Sequence, residues 1–454
     1  MTVKIKKGLD VKLSGSPRQT ETENISSQNY AVHPDDFPGF TAKTAVKEKD
    51  TVKIGSPLLY DKYRPYMKIV SPVSGTITAV NRGEKRRLIN ITIHNDGKND
   101  QIKFNTANAK TPEKIKEILA QAGLFAFIKQ RPYDIIANPT DVPRDIFVSA
   151  FSSAPLAPNP DFIIKKQEEE FQCGLNTLAS LTPGKIYLAI NNKIKNTALR
   201  KAKNVEIVEF NGPHPAGNAG LQINRIKPIN KGETVWTTDL QAVAYIGQFM
   251  KNGAIDLNRP VALTGPEVKP NERRYFKTLP GVAINEWLKN RLASDEKYLR
   301  IISGNVLTGT NIGAQGYLRY GDNCITVIPE GNNKNEFLGW ISPGINKYSV
   351  STSFISRIID IFRRREYSID ARIKGGKRAM IMSEEWDKVF PMDDILPEYL
   401  IRAIITSNIE KMENLGIYEV APEDFALCEF VDTSKMELQK IVREGLDKLY
   451  KEMN

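Results

Sequence analysis

The residues best suited to chemistry lie between Ala122 and Tyr133, where Phe125, Phe127, Lys129, Arg131 and Tyr133 share one short stretch. The chemistry they suggest is holding a ligand; no set of catalytic side chains gathers there. The preceding segment predicts a helix. Thr111 can cap it, Pro112 suits its first position, and Glu113 faces the positive end of its dipole. Ile115, Ile118, Leu119 and Ala122 recur on one face, and Gly123 is a natural stop. The stretch reads as an apolar, aromatic loop ending in Lys129, Arg131 and Tyr133, ahead of a predicted strand over Ile146 to Phe151. In an α/β protein such a loop is where ligands are held.

At 454 residues the chain is too long for one core. With 41% hydrophobic and 26% charged residues it has ordinary globular composition. The formal charge of +11 favours an acidic partner: a membrane surface, a nucleic acid or an acidic protein. The basic clusters Lys4/Lys6/Lys7, Lys85/Arg86/Arg87, Arg363/Arg364/Arg365 and Lys374/Lys377/Arg378 are scattered, and each alone reads as a solvated face. No nucleic-acid-binding motif or aromatic–basic platform accompanies the charge, which argues against that class.

Cys173, Cys324 and Cys428 are far apart, with no CxxC, so neither a disulfide framework nor a zinc site is expected; a reducing compartment fits. His33, His94 and His214 are isolated, and no metal site is expected from them. Met1 to Lys7 carries charge without an apolar core, so no signal peptide is expected. No window approaches ~18 apolar residues, so nothing is expected to span a bilayer. The chain is expected to be soluble and cytoplasmic, doing any membrane work through partners.

Four segments follow. Residues 1–103 read as short strands with turns, including Ile89, Ile91 and Ile93 alternating with polar residues on a half-buried strand. Residues 104–257 alternate helix and strand. The strands are 146–151, 186–190 and 205–210; the helices are 166–181, a short basic one near 193–202, and one that Asp239 caps and Gly253 stops. That order predicts a mostly parallel, covered sheet. Residues 258–340 shift to strands around one short helix at 284–292, enough for a β-grasp-sized unit. Residues 341–454 begin irregularly, then carry a helical stripe of Leu400, Ile401, Ile404, Ile405, Ile409 and Met412, and a final helix from Met436. The glycine-rich run Asn211 to Leu221 follows a strand, but its G-x4-G-x2-G spacing fits neither GxGxxG nor a Walker loop. The prolines flanking His214 favour a rigid turn.

The pattern V-x-x-G-x-x-L at Val52 to Leu58, followed by Pro72-Val73-Ser74-Gly75, resembles the barrel-sandwich module of biotinyl and lipoyl carrier domains. Lys68 is too close to Ser71 to be a carrier lysine at a hairpin tip, and Lys62 lacks flanking methionines. The module is read as the fold without its prosthetic group.

Taken in order, several stretches carry a resemblance over the whole chain. They are Ile5-Lys6-Lys7-Gly8-Leu9-Asp10, Arg82-Gly83-Glu84-Lys85-Arg86, Gly212-Pro213-His214-Pro215-Ala216-Gly217, Arg259 to Glu267, Ile301-Ile302-Ser303-Gly304, Leu338-Gly339-Trp340 and Ala426-Leu427-Cys428. The sequence resembles the NqrA subunits of the Na+-translocating NADH:quinone oxidoreductases. That family is similar to the RnfC subunit of the Rnf complex and to the NADH-binding flavoprotein subunit of complex I. The resemblance implies an α/β multidomain fold: an N-terminal barrel-sandwich-like module, a Rossmann-like domain, a β-grasp (SLBB-like) domain and a C-terminal helical region.

The resemblance also implies a six-subunit complex at the cytoplasmic face of the bacterial inner membrane. That complex oxidises NADH, reduces quinone and exports Na+, with this chain as a peripheral subunit beside integral-membrane partners. The relatives hold FMN and NADH on a GxGGAGFPT-like loop. Here the matching loop keeps Gly123 alone, with bulky Leu124, Phe125 and Phe127 behind it, and Ser152-Ser153-Ala154-Pro155 stands where relatives place acidic residues. Backbone amides approach a phosphate poorly past large side chains. The relatives' clusters use C-terminal CxxCxxC motifs, whereas Cys428 is alone, with Asp432-Thr433 beyond it, and a four-iron cluster needs four thiolates. No flavin, nicotinamide or iron–sulfur site is therefore expected in this chain, and NADH, FMN/FAD and Fe–S are left to the partner subunits. Quinone is the ligand the resemblance implies. Phe125, Phe127 and Tyr133 are candidates to stack on its ring, with Arg131 or Lys129 hydrogen-bonding its oxygens. Two readings stand for these side chains: quinone contacts, or core filling where a cofactor was lost. An autonomous FMN- and NADH-binding subunit of the RnfC type is the alternative, and a carrier modified on Lys62 or Lys68 a remote one.

Overall fold

A computed structural model describes residues 1–332, 343–350, 354–363, 365–372, 381 and 383–453. Leu338-Gly339-Trp340, Arg364 and the Lys374/Lys377/Arg378 cluster lie outside the described residues.

The first module pairs a four-stranded antiparallel sheet (Asn29–Val32, Leu88–Asn95, Gly75–Arg82, Thr51–Val52) with a three-stranded one (Ala42–Thr44, Pro57–Asp61, Lys68–Val70). Ile77, Ile91, Ile93, Leu58, Leu59 and Val70 are buried in this module. Ile89 departs from its expected place. A bulge pairs Arg82 with Leu88 and Asn81 with Asn90, leaving Ile89 unpaired and turned out, 47% exposed.

The first residues do not stay in that module. Thr2–Lys4 pairs in parallel with Glu206–Asn211, and Arg18–Asn24 pairs in parallel with Arg274–Thr278. The N-terminal segment therefore laces three sheets together.

Four strands of the central seven-stranded sheet run parallel, in the spatial order Glu206–Asn211, Ile186–Ile190, Ile146–Ser149, Val235–Asp239. By chain position that is third, second, first, fourth, the doubly wound order. Helices Glu168–Ala179 and Leu240–Asn252 cross at glycines: a Cβ on Gly174 would meet the Val243 carbonyl at 2.0 Å, and one on Gly247 the Glu170 carbonyl at 1.8 Å. The switch point of the sheet falls between Ile146–Ser149 and Val235–Asp239.

A mixed six-stranded sheet follows, in the order Thr310–Asn311, Leu299–Ser303, Cys324–Pro329, Arg259–Thr264, Arg274–Thr278, Arg18–Asn24, with the short helix Ile284–Leu288. The expected C-terminal stripe is two helices, Pro397–Ile405 and Ile409–Asn414, because Asn408 accepts from the Lys411 N–H and caps a new start. The chain leaves the first helix at Ile405, whose side chain is 51% exposed. The last helix, Leu438–Met453, buries Leu438, Val442, Leu446 and Leu449.

Candidate functional site

The helix Pro112–Gln121 begins as its sequence dictates, with the Thr111 side chain accepting from the Lys114 N–H. Gly123 then takes φ 73°, the left-handed stop. Beyond it the expected loop is regular structure. Leu124–Phe127 forms a 3-10 turn, and Lys129–Arg131 is a strand antiparallel to Val235–Asp239, with Lys129 opposite Thr237 and Arg131 opposite Val235. The turn uses its own amides: Ala126 N–H donates to the Gly123 carbonyl at 3.4 Å and Ile128 N–H to that of Phe125 at 3.0 Å.

This corner borders a crevice of about 490 Å³ at the carboxyl ends of Ile146–Ser149 and Val235–Asp239, the switch point where doubly wound sheets bind ligands. Asp36 and Phe37 of the barrel module and residues 319–324 of the third sheet complete its walls.

The sequence-predicted side chains do not converge there. Phe127 and Lys129 line the crevice, Phe127 stacked on Tyr320 with centroids 5.4 Å apart and rings 24° from parallel. Phe125 is buried on the other side, edge-on to Trp236 at 5.4 Å. Tyr133 packs against Tyr450, and its carbonyl accepts from Arg443 Nη2 at 2.6 Å. Arg131 borders the crevice, but its guanidinium is enclosed. Nη1 donates to the Glu419 carbonyl at 3.2 Å, and Asp134, Glu423 and Asp424 lie 3.5–3.6 Å away. Burial alone would raise Asp134, yet Lys129, Arg131 and Arg443 outweigh it and hold its carboxyl below the usual range. At Asp424 burial wins over Arg131 and pushes the carboxyl up. The two carboxyls answer the same guanidinium differently because Asp134 has three cations around it.

Reasoning from sequence missed most of the crevice's polar lining. Asp36 meets Arg319 at 2.6 Å, yet burial raises its carboxyl to about 6. Asp322 accepts from Ser303 Oγ at 2.6 Å and is also raised by burial. Asp239 caps Leu240–Asn252 by accepting from the Ala242 N–H at 2.8 Å, so a carboxylate of the chain already occupies that helix N-terminus. His214 reaches the wall through the glycine-rich run, its Nδ1 3.0 Å from Ser153 Oγ. The one sequence signal was that run's position directly after a strand. Among the described residues, no group of three or more His, Cys, Asp or Glu side chains could hold a metal ion, and no helix is long and apolar enough to cross a membrane.

Family models match three stretches: the NqrA N-terminal barrel-sandwich hybrid domain at residues 3–96, the NqrA second alpha/beta domain at 110–255, and the NQRA C-terminal (SLBB) domain at 260–313. Curated relatives match end to end. The NqrA subunit of the Na(+)-translocating NADH-quinone reductase of Pasteurella multocida is 34% identical over 99% of this chain and 100% of its own. The corresponding subunits of Histophilus somni and Neisseria meningitidis serogroup B are each 35% identical with the same coverage. The chain belongs to the NqrA family of Na(+)-translocating NADH-quinone reductase subunits.

Within this NqrA family fold, barrel-sandwich, α/β and SLBB parts follow one another as the resemblance implied. A solved NAD+-reducing NiFe hydrogenase in the air-oxidized state is 12% identical over 48% of this chain and 47% of its own, with a TM-score of 0.34, a likeness that carries no argument.

Proposed function

We propose that the chain is the non-redox, peripheral NqrA component of a complex that oxidises NADH, reduces quinone and exports Na+. The observation that carries this reading is the full-length match at 34–35% identity to proteins of that family. Electrons enter and sodium crosses in other subunits, and the crevice takes a quinone head group.

The residues do not fit a flavin phosphate. In the 3-10 turn after Gly123 the amides of Ala126 and Ile128 are engaged, Leu124 and Phe125 fill the space behind, and Asp239 holds the nearest long helix N-terminus. They do not fit a cluster either. Cys428 is fully buried within Ala426–Val431, where burial pushes its thiol up, and Cys173 and Cys324 belong to other elements. A flat, neutral ring suits the Phe127–Tyr320 pair, beside Lys129, which also faces Asp134 at 3.5 Å.

Seating at the cytoplasmic face of the inner membrane is supported by the helix Ser356–Phe362. It exposes Ile358, Ile361 and Phe362 beside Arg357 and Arg363. Each cation close to anionic headgroups adds about 1 kcal/mol.

The deciding experiment removes this chain from cells. Sodium-dependent NADH dehydrogenase activity of the membranes should disappear, and the chain should purify with the membrane subunits. Retained activity would sink the reading. The absorption spectrum of the purified chain should show no flavin; near-stoichiometric flavin would restore the RnfC-type alternative.

A further inference from the structure

The crevice wall contains a buried hydrogen-bond donor that the protein does not use. His214 is 3% exposed, and its Nδ1 lies 3.0 Å from Ser153 Oγ. That oxygen already accepts the Gly217 N–H at 2.8 Å. The hydroxyl hydrogen has no other acceptor among the described residues, so it goes to Nδ1, and the ring proton sits on Nε2. Nε2 is buried and has no hydrogen-bond partner among the described residues. Burial also lowers the ring to about 4, so near neutral pH it is an uncharged imidazole.

A buried N–H without an acceptor is costly, and the structure holds others at Trp236 Nε1 and Trp287 Nε1; what sets His214 apart is its place on a crevice wall. This one belongs to a residue lining the switch-point crevice, whose walls carry Asp36, Asp239 and Asp322 together with Lys129, Arg131 and Arg319. A neutral N–H suits an uncharged carbonyl oxygen. We propose that His214 Nε2–H is the donor that takes a ring carbonyl of the ligand, with the ring lying along the Phe127–Tyr320 pair. This rests on the quinone reading above and assigns its polar anchor to a residue outside the Phe125–Tyr133 corner.

The two amide side chains separate the two ring nitrogens. His214→Asn places its amide near the Nδ1 position, keeping a partner for Ser153 while deleting Nε2. His214→Gln places an amide near Nε2 and retains the donor. The probes are a decyl-substituted benzoquinone and the matching decylbenzene without carbonyls, titrated against the full-length chain. The unchanged chain should bind the quinone about tenfold more tightly than the hydrocarbon. His214→Asn should erase that difference, and His214→Gln should restore most of it. Ser153→Ala, which frees the ring to move its proton to Nδ1, should weaken the quinone by a smaller factor and carries the test if His214→Asn does not fold. Quinone affinity unchanged in His214→Asn, or in Ser153→Ala where it stands in, overturns the donor assignment and leaves quinone binding intact. No quinone binding by the unchanged chain overturns both.

Discussion

Arg131 and His214 border the same crevice, are almost equally buried, at 1% and 3% exposure, and each keeps one side-chain nitrogen without a hydrogen-bond partner among the described residues, but only Arg131 has opposite charges around it. Arg131 has the residue type of a ligand contact, and the protein surrounds it: three carboxylates and the Glu419 carbonyl face its guanidinium. His214 sits in what reads as a rigid turn, and its Nε2 has no partner among the described residues. A cation matched by its own fold holds domains together. A donor left unmatched on a crevice wall is the kind of group the quinone proposal calls on. Residue type points to the first and geometry to the second.

The largest test of that contrast is Arg131→Met. It takes from the buried Asp424 the one cation acting on it, while Asp134 keeps Lys129 and Arg443, and breaking a buried pair in this way costs about 3–5 kcal/mol. The denaturation midpoint should fall steeply; a loss below about 1 kcal/mol would show Arg131 to be less committed to the fold than its surroundings indicate. Phe125→Ala should cost a similar amount, about 3–5 kcal/mol, through the cavity left beside Trp236, with no specific effect on a crevice ligand. Phe127→Ala, at a half-buried position on the crevice wall, should cost less stability and more affinity. Denaturation and quinone titration of both variants would reverse that ordering if the crevice reading is wrong.

Acid adds a titration. His33 and His214 are each lowered by burial from 6.5 to about 4. Between those values the two rings are protonated in the unfolded chain and not in the folded one, so the stability they contribute is full above about pH 6.5 and falls as pH drops toward 4, while Asp36 and Asp424, raised by burial, act in the opposite direction. Each ring contributes about 3 kcal/mol over that window. In thermal melts His214→Gln should lose less stability than the unchanged chain as pH drops from about 6.5 toward 4; an identical pH dependence would mean that His214 is not held neutral by burial. The smallest effect on folding is expected for Ile358→Asp with Phe362→Asp, within about 0.5 kcal/mol per site, yet sedimentation with anionic vesicles should drop sharply. Unaltered vesicle binding would remove that helix from the seating surface.

Local signals were legible. The Thr111 cap, the Gly123 and Gly253 stops, the Asp239 cap, the buried runs at 146–148 and 186–190 and the half-buried strand at 206–211 all follow from neighbours in sequence. What escaped has its cause far along the chain. Lys129–Arg131 is a three-residue strand, too short for a period, and exists because Val235–Asp239 offers it an antiparallel edge. Arg131 is matched by residues near 420, almost 300 positions away. His214 joins the crevice only because the strand order third, second, first, fourth brings its loop beside Ser153. Ile89 needed a bulge that no alternation pattern encodes.

The lacing by Thr2–Lys4 and Arg18–Asn24 has a consequence for biosynthesis. The chain's earliest strands find their partners at Glu206–Asn211 and Arg274–Thr278, roughly 200 and 250 residues later. On the ribosome these two edges wait unpaired while the roughly 200 to 250 residues up to their partners are translated, a high-contact-order delay in which exposed strands are prone to aggregate. A chaperone that shields the nascent N-terminus should therefore raise the yield of folded chain more than one acting after release.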